Sequence, residues 1–342
     1  MLRGVARIRT IIPNRKLLMK AAVYHRYGSP DVVEIADVPR PGLGTNDVLV
    51  KVRATTVTAG DWRLRSATIP RGFGVLLRLA FGIFRPRKSI LGTELAGEVE
   101  AVGQSVRRFA PGDKIFAFRG ARLGCHAEYV AIREDEAIAP MPGNLSFGEA
   151  AALSFGGTTA LYFLRDRARI QPGQRVLVNG ASGGVGSAAV QLAKHFGAEV
   201  TGVCSAANAQ WVTSLGADRV IDYAKEDFTQ ARETFDIILD TVGNCSFHRC
   251  KPVLAQGGRL LLVVATLGQT VGALVWPSRS GRKVLGGVAP GRTEDLLLLR
   301  ALAEAGAFKP VIDRTYPFER IVDAHAHVDS RRKKGNVVIA LE

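Results

Sequence analysis

Cysteine is scarce in this sequence. Four stand in 342 residues, Cys125, Cys204, Cys245 and Cys250, and no two have the C-x-x-C spacing of a metal knuckle. A disulfide framework is excluded as the main source of stability, and a reducing compartment fits. Acidic residues are also few: 31 Asp and Glu face 46 Lys and Arg, for a formal charge of +15. That balance favours an anionic ligand and says little about fold. The basic residues are scattered and form no recognition motif, so no nucleic-acid partner is expected. Long apolar runs are missing as well. The longest uncharged stretch, Leu260 to Trp276, is short for a bilayer span and contains Thr266, Gln269 and Thr270. It reads as a buried strand followed by a loop. There is no internal repeat and no low-complexity tract.

Residues 1–18 lack any acid and carry Arg3, Arg7, Arg9, Arg15 and Lys16. Two readings are open. One is a disordered leader ahead of Met19, with a cytoplasmic protein behind it. The other is an Arg-rich, acid-poor mitochondrial presequence.

What is present is a soluble globular composition, 47% apolar and 23% charged, in a chain long enough for one large domain or two ordinary ones. From 19 to 148 the sequence is rich in Val, Gly and Pro. Val48–Val57, Glu94–Gly103 and His126–Ile132 read as short strands, separated by turns such as "RPGLGTND" and "APGD". From about 149 the pattern changes. "GEAAALSFGGTTALYFL" reads as one or two helices. Strands at 174–180, 198–204, 219–223, 235–243 and 257–265 then alternate with helices at 186–197 and 208–216. Alternation of this kind indicates βαβ units and a parallel sheet. The fold class expected is therefore α/β, with a β-rich domain over 19–148 and a doubly wound domain over 149–285. The tail, 286–342, holds a helix at 293–306 and the strand "NVVIALE", and is expected to return to the first domain.

The segment "VLVNGASGGVGSAAVQLAK" places Gly180, Gly183 and Gly186 between a strand ending near Asn179 and a helix starting near Gly184. Unpaired N–H groups and the positive end of the dipole at a helix N-terminus favour a pyrophosphate. Glycine lets the backbone turn tightly and approach the phosphates. In a strand–loop–helix context the motif points to a dinucleotide site. An NAD site carries Asp or Glu at the end of the second strand, on the ribose 2′-hydroxyl. Here Cys204 stands at that place, followed by Ser205. No carboxylate opposes a 2′-phosphate and a hydroxyl is there to donate to it, so the expected cofactor is NADPH. The alternative role of Ser205 is a helix N-cap. No cation follows within "SAANAQ", and Lys225 is the nearest candidate to supply one.

From Met19 to Glu342 the chain resembles the zinc-lacking, quinone-oxidoreductase-like branch of the medium-chain dehydrogenases/reductases. The segments that carry the resemblance are "LGTELAGEVEAVG", "FAPGDKIFAF", "AEYV", "GGTTAL", "NGASGGVGSAAVQLAK", "SLGADRVIDY", "LDTVG" and "KKGNVVIALE", in that order. The resemblance implies a GroES-like catalytic domain split around a Rossmann domain, with nicotinamide and substrate in the cleft between them. Zinc-dependent relatives have Cys in a V-C-G-T-D-like stretch and His in G-H-E. Here the stretches are "VTAGD" and "GTE", with Thr58 and Thr93 at those places. Neutral hydroxyls do not replace thiolate or imidazole on zinc. The adjacent pair Cys125–His126 precedes a strand and reads as packing rather than ligation, so no metal is expected.

Carried over from the family, Thr159 borders the nicotinamide ribose-phosphate. Ser182, Gly183, Gly184 and Val185 meet the pyrophosphate. Tyr223 joins Ser205 by the adenosine phosphate. Thr241, Val242, Ala265, Thr266 and Leu267 border the cofactor, and Lys334 and Asn336 reach it from the tail. Tyr223 as the cap of a sheet edge and Lys334 as a solvated charge are the plain alternatives. Enone-reducing relatives place a proton-donating tyrosine shortly after the aspartate of this motif. None lies between Asp61 and Ile90, so no catalytic residue is assigned.

The activity expected is zinc-free, NADPH-dependent hydride delivery to a hydrophobic quinone or α,β-unsaturated carbonyl. A zinc-free alcohol or aldehyde oxidoreductase is one alternative. A non-catalytic NADPH-binding or RNA-associated protein is the other. Arg71–Lys88 adds an apolar, basic segment with Val75, Leu76, Leu79, Ala80 and Ile83 at helical spacing. It reads as a lid on the substrate cleft, as a peripheral membrane contact, or as a helix packed on its own domain or on the partner of a homodimer.

Overall fold

The computed structural model describes residues 18–68, 72, 74–269 and 281–341. The leader, apart from Leu18, and residues 270–276 of the long uncharged stretch lie outside the described residues.

Strand β1 (Leu18–Tyr24) pairs antiparallel with β2 (Val33–Pro39). Next comes β3 (Asp47–Val57), then helices α1 (Ala59–Ser66) and α2 (Gly74–Phe81), then strands β4 (Glu94–Val102), β5 (Lys114–Phe118), β6 (Tyr129–Arg133) and β7 (Ile138–Pro140). Strand β3 organises this sheet, pairing antiparallel with both β4 and β6. Helix α1 was not evident from apolar spacing. It is set by a reciprocal cap: the Asp61 N–H donates to Thr58 Oγ1 at 3.2 Å, and the Thr58 N–H donates to Asp61 Oδ2 at 2.8 Å.

Helix α3 (Phe147–Leu161) opens the second region with another reciprocal cap, between Ser146 and Glu149, and runs on into a wider turn over Tyr162–Arg167. It is followed by β8 (Arg175–Asn179), α4 (Gly184–His195), β9 (Glu199–Cys204), α5 (Ala206–Ser214), β10 (Arg219–Asp222), β11 (Phe235–Asp240), α6 (Phe247–Cys250), β12 (Leu254–Leu262) and β13 (Lys283–Gly286). The six strands form one parallel sheet in the order β10-β9-β8-β11-β12-β13. Chain order reverses direction between β8 and β11, and the crevice for a ligand opens at such a switch point. The strands are continuous apolar runs because helices cover both faces.

Helix α7 (Thr293–Glu304) packs on α3 so closely that a Cβ on Gly157 would lie 2.6 Å from Leu299. Strand β14 (Ile312–Pro317), helix α8 (Ile321–Asp329) and strand β15 (Asn336–Ala340) complete the chain, and β15 pairs antiparallel with β3. The architecture is the α/β one expected, a GroES-like sheet beside a Rossmann sheet. One core lies around α3, α4 and the parallel sheet, and includes Leu153, Leu161 and Phe163. Burying a side chain of that size contributes roughly 1.5–3 kcal/mol. A second core fills the β3–β6 region. Among the described residues no helix is long and apolar enough to cross a membrane.

Candidate active site

A cleft of about 940 Å³ lies at the switch point, between the carboxyl ends of the parallel strands and the first sheet. Strand β8 ends at Asn179 and α4 begins at Gly184, with Gly183 as its N-cap. The first helical N–H groups, of Gly184, Val185 and Gly186, have no acceptor within the helix, and Gly183 has no side chain to occupy them. A Cβ on Gly183 would find its nearest neighbour at 3.5 Å. A Cβ on Gly186 would lie 2.0 Å from the Gly180 carbonyl oxygen. Gly186 therefore closes the turn, whereas Gly183 leaves the cradle open. The arrangement fits the pyrophosphate of a dinucleotide.

Of the residues singled out in the sequence, Ser182, Gly183, Gly184, Val185, Ser205, Tyr223, Thr241, Val242 and Asn336 line this cleft. Ser205 stands at the N-cap position of α5, yet its hydroxyl makes no cap bond. Cys204 ends β9 beside it, and burial pushes its thiol up to about 11. Thr241 donates through Oγ1 to the Asn179 carbonyl at 2.8 Å, which fixes the end of β11 against the glycine loop. Tyr223 and Val242 are exposed on the rim. Thr159 is placed elsewhere, in the second cavity described below. Ala265, Thr266 and Leu267 follow β12 just beyond the wall that Val264 contributes, and Thr266 is held by Gln269, its N–H donating to Oε1 at 2.8 Å. Lys225 and Lys334 are exposed and outside the cleft lining.

Five basic residues not singled out in the sequence, Arg63, Arg249, Arg331, Arg332 and Lys333, do line it. Lys333 is the first lysine of the "KKGN" motif, so the signal for it was present. Its ammonium donates to the Gly335 carbonyl at 2.6 Å, and burial brings it down to about 8. The motif is joined to the glycine loop: the Gly335 N–H donates to the Ser182 carbonyl at 2.9 Å. Asn336 Nδ2 donates to the Val311 carbonyl at 3.0 Å.

A second, largely apolar cavity of about 840 Å³ adjoins the cleft, and the two share Arg63 and Phe155. Phe118, Leu64, Phe81, Thr93 and Thr159 line it. Helix α2 from the apolar basic segment forms part of its wall. The Tyr27 hydroxyl ties the end of that helix down, donating to the Gly82 carbonyl at 2.8 Å. Leu79, Ile83 and Phe84 of the same segment face outward.

The two threonines at the zinc-ligand positions are differently placed. The Thr58 hydroxyl donates to Asp61 Oδ2 at 2.6 Å, and Asp61 Oδ1 in turn accepts from the Gly92 N–H at 2.8 Å. Thr93 is buried with no partner for its hydroxyl. Glu94, next to it, is fully buried, and that burial pushes its carboxyl up to about 8 against hydrogen bonds from the Thr56 hydroxyl and the Phe155 N–H. Cys125 packs in the second core, where burial raises its thiol, and His126 Nε2 pairs with the Thr56 carbonyl at 3.0 Å. Among the described residues no three His, Cys, Asp or Glu side chains are grouped to hold a metal ion.

Residues 44–143 match the family described as alcohol dehydrogenase GroES-like domain, and residues 215–339 match the family described as zinc-binding dehydrogenase. The chain is 34% identical to a 2-methylene-furan-3-one reductase of Solanum lycopersicum, over 94% of this chain and 79% of that one. It is 31% identical to an NADPH-dependent alkenal/one oxidoreductase of Arabidopsis thaliana, with the same coverage. Among solved structures, the quinone oxidoreductase of Coxiella burnetii superposes with a TM-score of 0.85 at 29% identity, over 95% of this chain and all of that one.

Proposed function

The chain belongs to the medium-chain dehydrogenase/reductase family, among its quinone oxidoreductase-like members, and from that premise we propose that it reduces quinones or α,β-unsaturated carbonyls with NADPH and without zinc. One observation carries the reading: a cleft with a glycine-loop phosphate cradle opens directly into a roomy apolar cavity, and Phe155 stands in the wall of both. A reduced nicotinamide dinucleotide in the cleft would supply a hydride to a flat apolar acceptor in the cavity.

The chain's own part is binding, orientation and exclusion of water. The α4 N-terminus takes the pyrophosphate. Ser205, with its hydroxyl unspent, takes the adenosine end, where Cys204 leaves no carboxylate to repel a 2′-phosphate. Thr241, Val242 and Asn336 flank the path from there to the cavity. Thr159, one helical turn after Phe155 on α3, faces the acceptor. The donor set at the zinc-ligand positions suits no metal, since the Thr58 hydroxyl is committed to Asp61 and neutral hydroxyls bind zinc poorly. Without a Lewis acid, a conjugated acceptor is better matched than a simple aldehyde. The relatives named for reduction of a furanone, an alkenal/one and a quinone support the same acceptor class.

The test is a steady-state panel of 9,10-phenanthrenequinone, an enone and an aldehyde, each with NADPH and with NADH, before and after treatment with a zinc chelator. Turnover of quinone or enone with NADPH, insensitive to the chelator, is the expected result. Turnover confined to the aldehyde, or a preference for NADH, overturns the corresponding part of the reading.

A further inference from the structure

We propose that Arg63 holds the carbonyl oxygen of the substrate and stabilises the negative charge that develops there. The inference rests on the quinone or enone reading above and assigns the group that this reading left without an owner.

Hydride transfer to an enone has a definite charge balance. The β-carbon takes a hydride, with its two electrons, from the reduced nicotinamide. The C=C pair shifts towards the carbonyl, leaving an enolate with its charge on oxygen. Water then protonates the α-carbon, and the cofactor leaves oxidised by two electrons. The enolate oxygen therefore needs a donor that is in place beforehand. Interactions aimed at charge that appears only in the transition state are the most effective ones.

Where that oxygen lies is limited by the cavities. The acceptor enters from the apolar cavity and the dinucleotide from the cleft, so reaction occurs where they meet. Among the described residues two belong to both walls, Arg63 and Phe155, and of these only Arg63 is polar. Helix α1 presents it there: Ala59 and Trp62 face the cleft, Gly60 and Leu64 face the cavity, and Arg63 faces both. Among the described residues its guanidinium has no hydrogen-bond acceptor and no carboxylate. Its recorded neighbours are the Trp62 ring, 5.5 Å away, and the like charge of Arg331. Leaving a partly buried guanidinium without an anion is costly, and burial acts against its charge. A ligand oxygen removes that cost.

Arg78 also lines the cavity but is exposed and does not reach the cleft, and the other polar groups nearby are committed or less suited. The Thr58 hydroxyl donates to Asp61. Arg119 donates to the Leu123 and Ala131 carbonyls, and Arg122 pairs with Glu136. The buried Thr93 hydroxyl in the cavity wall has no partner, but as a neutral group it offers at most a secondary bond. An arginine stays charged throughout the working pH range, so it acts here by its field and its N–H fork, not by giving up a proton.

The experiment compares the full-length protein with Arg63→Met and Arg63→Ala, using NADPH and an enone that wild type reduces. Expected are a fall in kcat of ~100-fold, unchanged NADPH affinity by fluorescence titration, and partial recovery of Arg63→Ala on adding guanidinium ion. A binding readout accompanies this: 4-nitrophenol bound to the NADP⁺ form should appear as its phenolate in wild type and as the neutral phenol in Arg63→Met. Unchanged kcat together with an unchanged phenolate signal overturns the assignment, as does a loss of kcat that guanidinium does not restore. Failure of wild type to reduce any quinone or enone is a separate outcome, and it overturns the proposed function instead.

Discussion

The Gly335 N–H donates to the Ser182 carbonyl at 2.9 Å, so the turn before the last strand is hydrogen-bonded to the loop that would carry the cofactor phosphates. Gly335 is held at φ +57°, and a Cβ there would lie 2.4 Å from the Val311 carbonyl oxygen. Gly335→Ala should therefore move this turn off the loop. A Tm lower by several degrees is expected, consistent with a cost of ~1–3 kcal/mol for a strained position. Cofactor affinity by fluorescence titration should fall with it. An unchanged Tm would show that the turn relaxes freely.

The neighbouring Asn336 gives a cleaner separation of binding from stability. Its amide bonds to the Val311 carbonyl, and its Oδ1 would lie 2.8 Å from a Cβ on Gly184. Asn336→Ala removes contacts at the cradle without adding a clash. Dinucleotide affinity should weaken about tenfold, equivalent to ~1.4 kcal/mol, while kcat at saturation is kept.

Two glycines of one loop should behave oppositely. Gly183→Ala adds a methyl that meets nothing closer than 3.5 Å, so the protein should fold with its Tm preserved but bind dinucleotide more weakly, because the methyl projects into the cradle. Gly186→Ala drives a methyl to 2.0 Å from the Gly180 carbonyl oxygen. It should lower Tm sharply or prevent soluble expression. Thermal melts with and without NADPH distinguish the two.

The parallel sheet and its glycine loop were legible because they depend on local pattern: short apolar strands, helices between them, and a glycine, Gly186, where a side chain would clash in the turn. Helix α1 was not, because its stability comes from the Thr58–Asp61 cap and not from an apolar stripe. The cap has its own signature, a Thr with an acid three residues on, and the sequence does carry it. The pairing of Arg63 with Phe155 across two cavities has no local signature. These residues lie on α1 and α3, far apart in the chain, and line the same two cavities only in the folded protein. Lys333 differs from Lys334 only in which side of the turn faces the cleft, and backbone direction at an irregular turn cannot be read from composition.

The proposed preference for NADPH turns on Ser205. It caps α5 by position, with extended backbone angles, but its hydroxyl makes no cap bond. Asp is equally acceptable at an N-cap, so Ser205→Asp should leave the fold intact. The new carboxylate would repel a 2′-phosphate and accept from a 2′-hydroxyl. kcat/KM for NADPH should fall at least about tenfold, on the scale of one lost charge-assisted bond, while NADH is used as well as before or better. Equal losses with both cofactors would place the 2′-phosphate elsewhere.

Glu94 should set the pH dependence of stability. In the fold it is pushed up to about 8 from an ordinary value of 4.5, by burial. Between those values the unfolded chain has released the proton and the native chain retains it. The native state then binds more protons, so stability falls as pH rises through this window, by at most about 1.4 kcal/mol per pH unit. Lys333 acts in a different range. It is brought down to about 8 from 10.5, so the unfolded chain holds the extra proton between 8 and 10.5, and stability rises with pH there. Above pH 9 the thiols of Cys125 and Cys204, raised by burial, act in the opposite direction, because the unfolded chain releases their protons first, so the rise from Lys333 is confined to pH 8–9. Glu94→Gln abolishes the titration, keeps one acceptor oxygen for the Phe155 N–H, and leaves its amide N–H to donate to the Thr56 hydroxyl oxygen. Between pH 6.5 and pH 8, above the range in which the buried His325 makes stability rise with pH, its Tm should stay level where that of wild type declines. A wild-type Tm that does not fall across that range would show that Glu94 ionises in place, stabilised by the Lys333 charge.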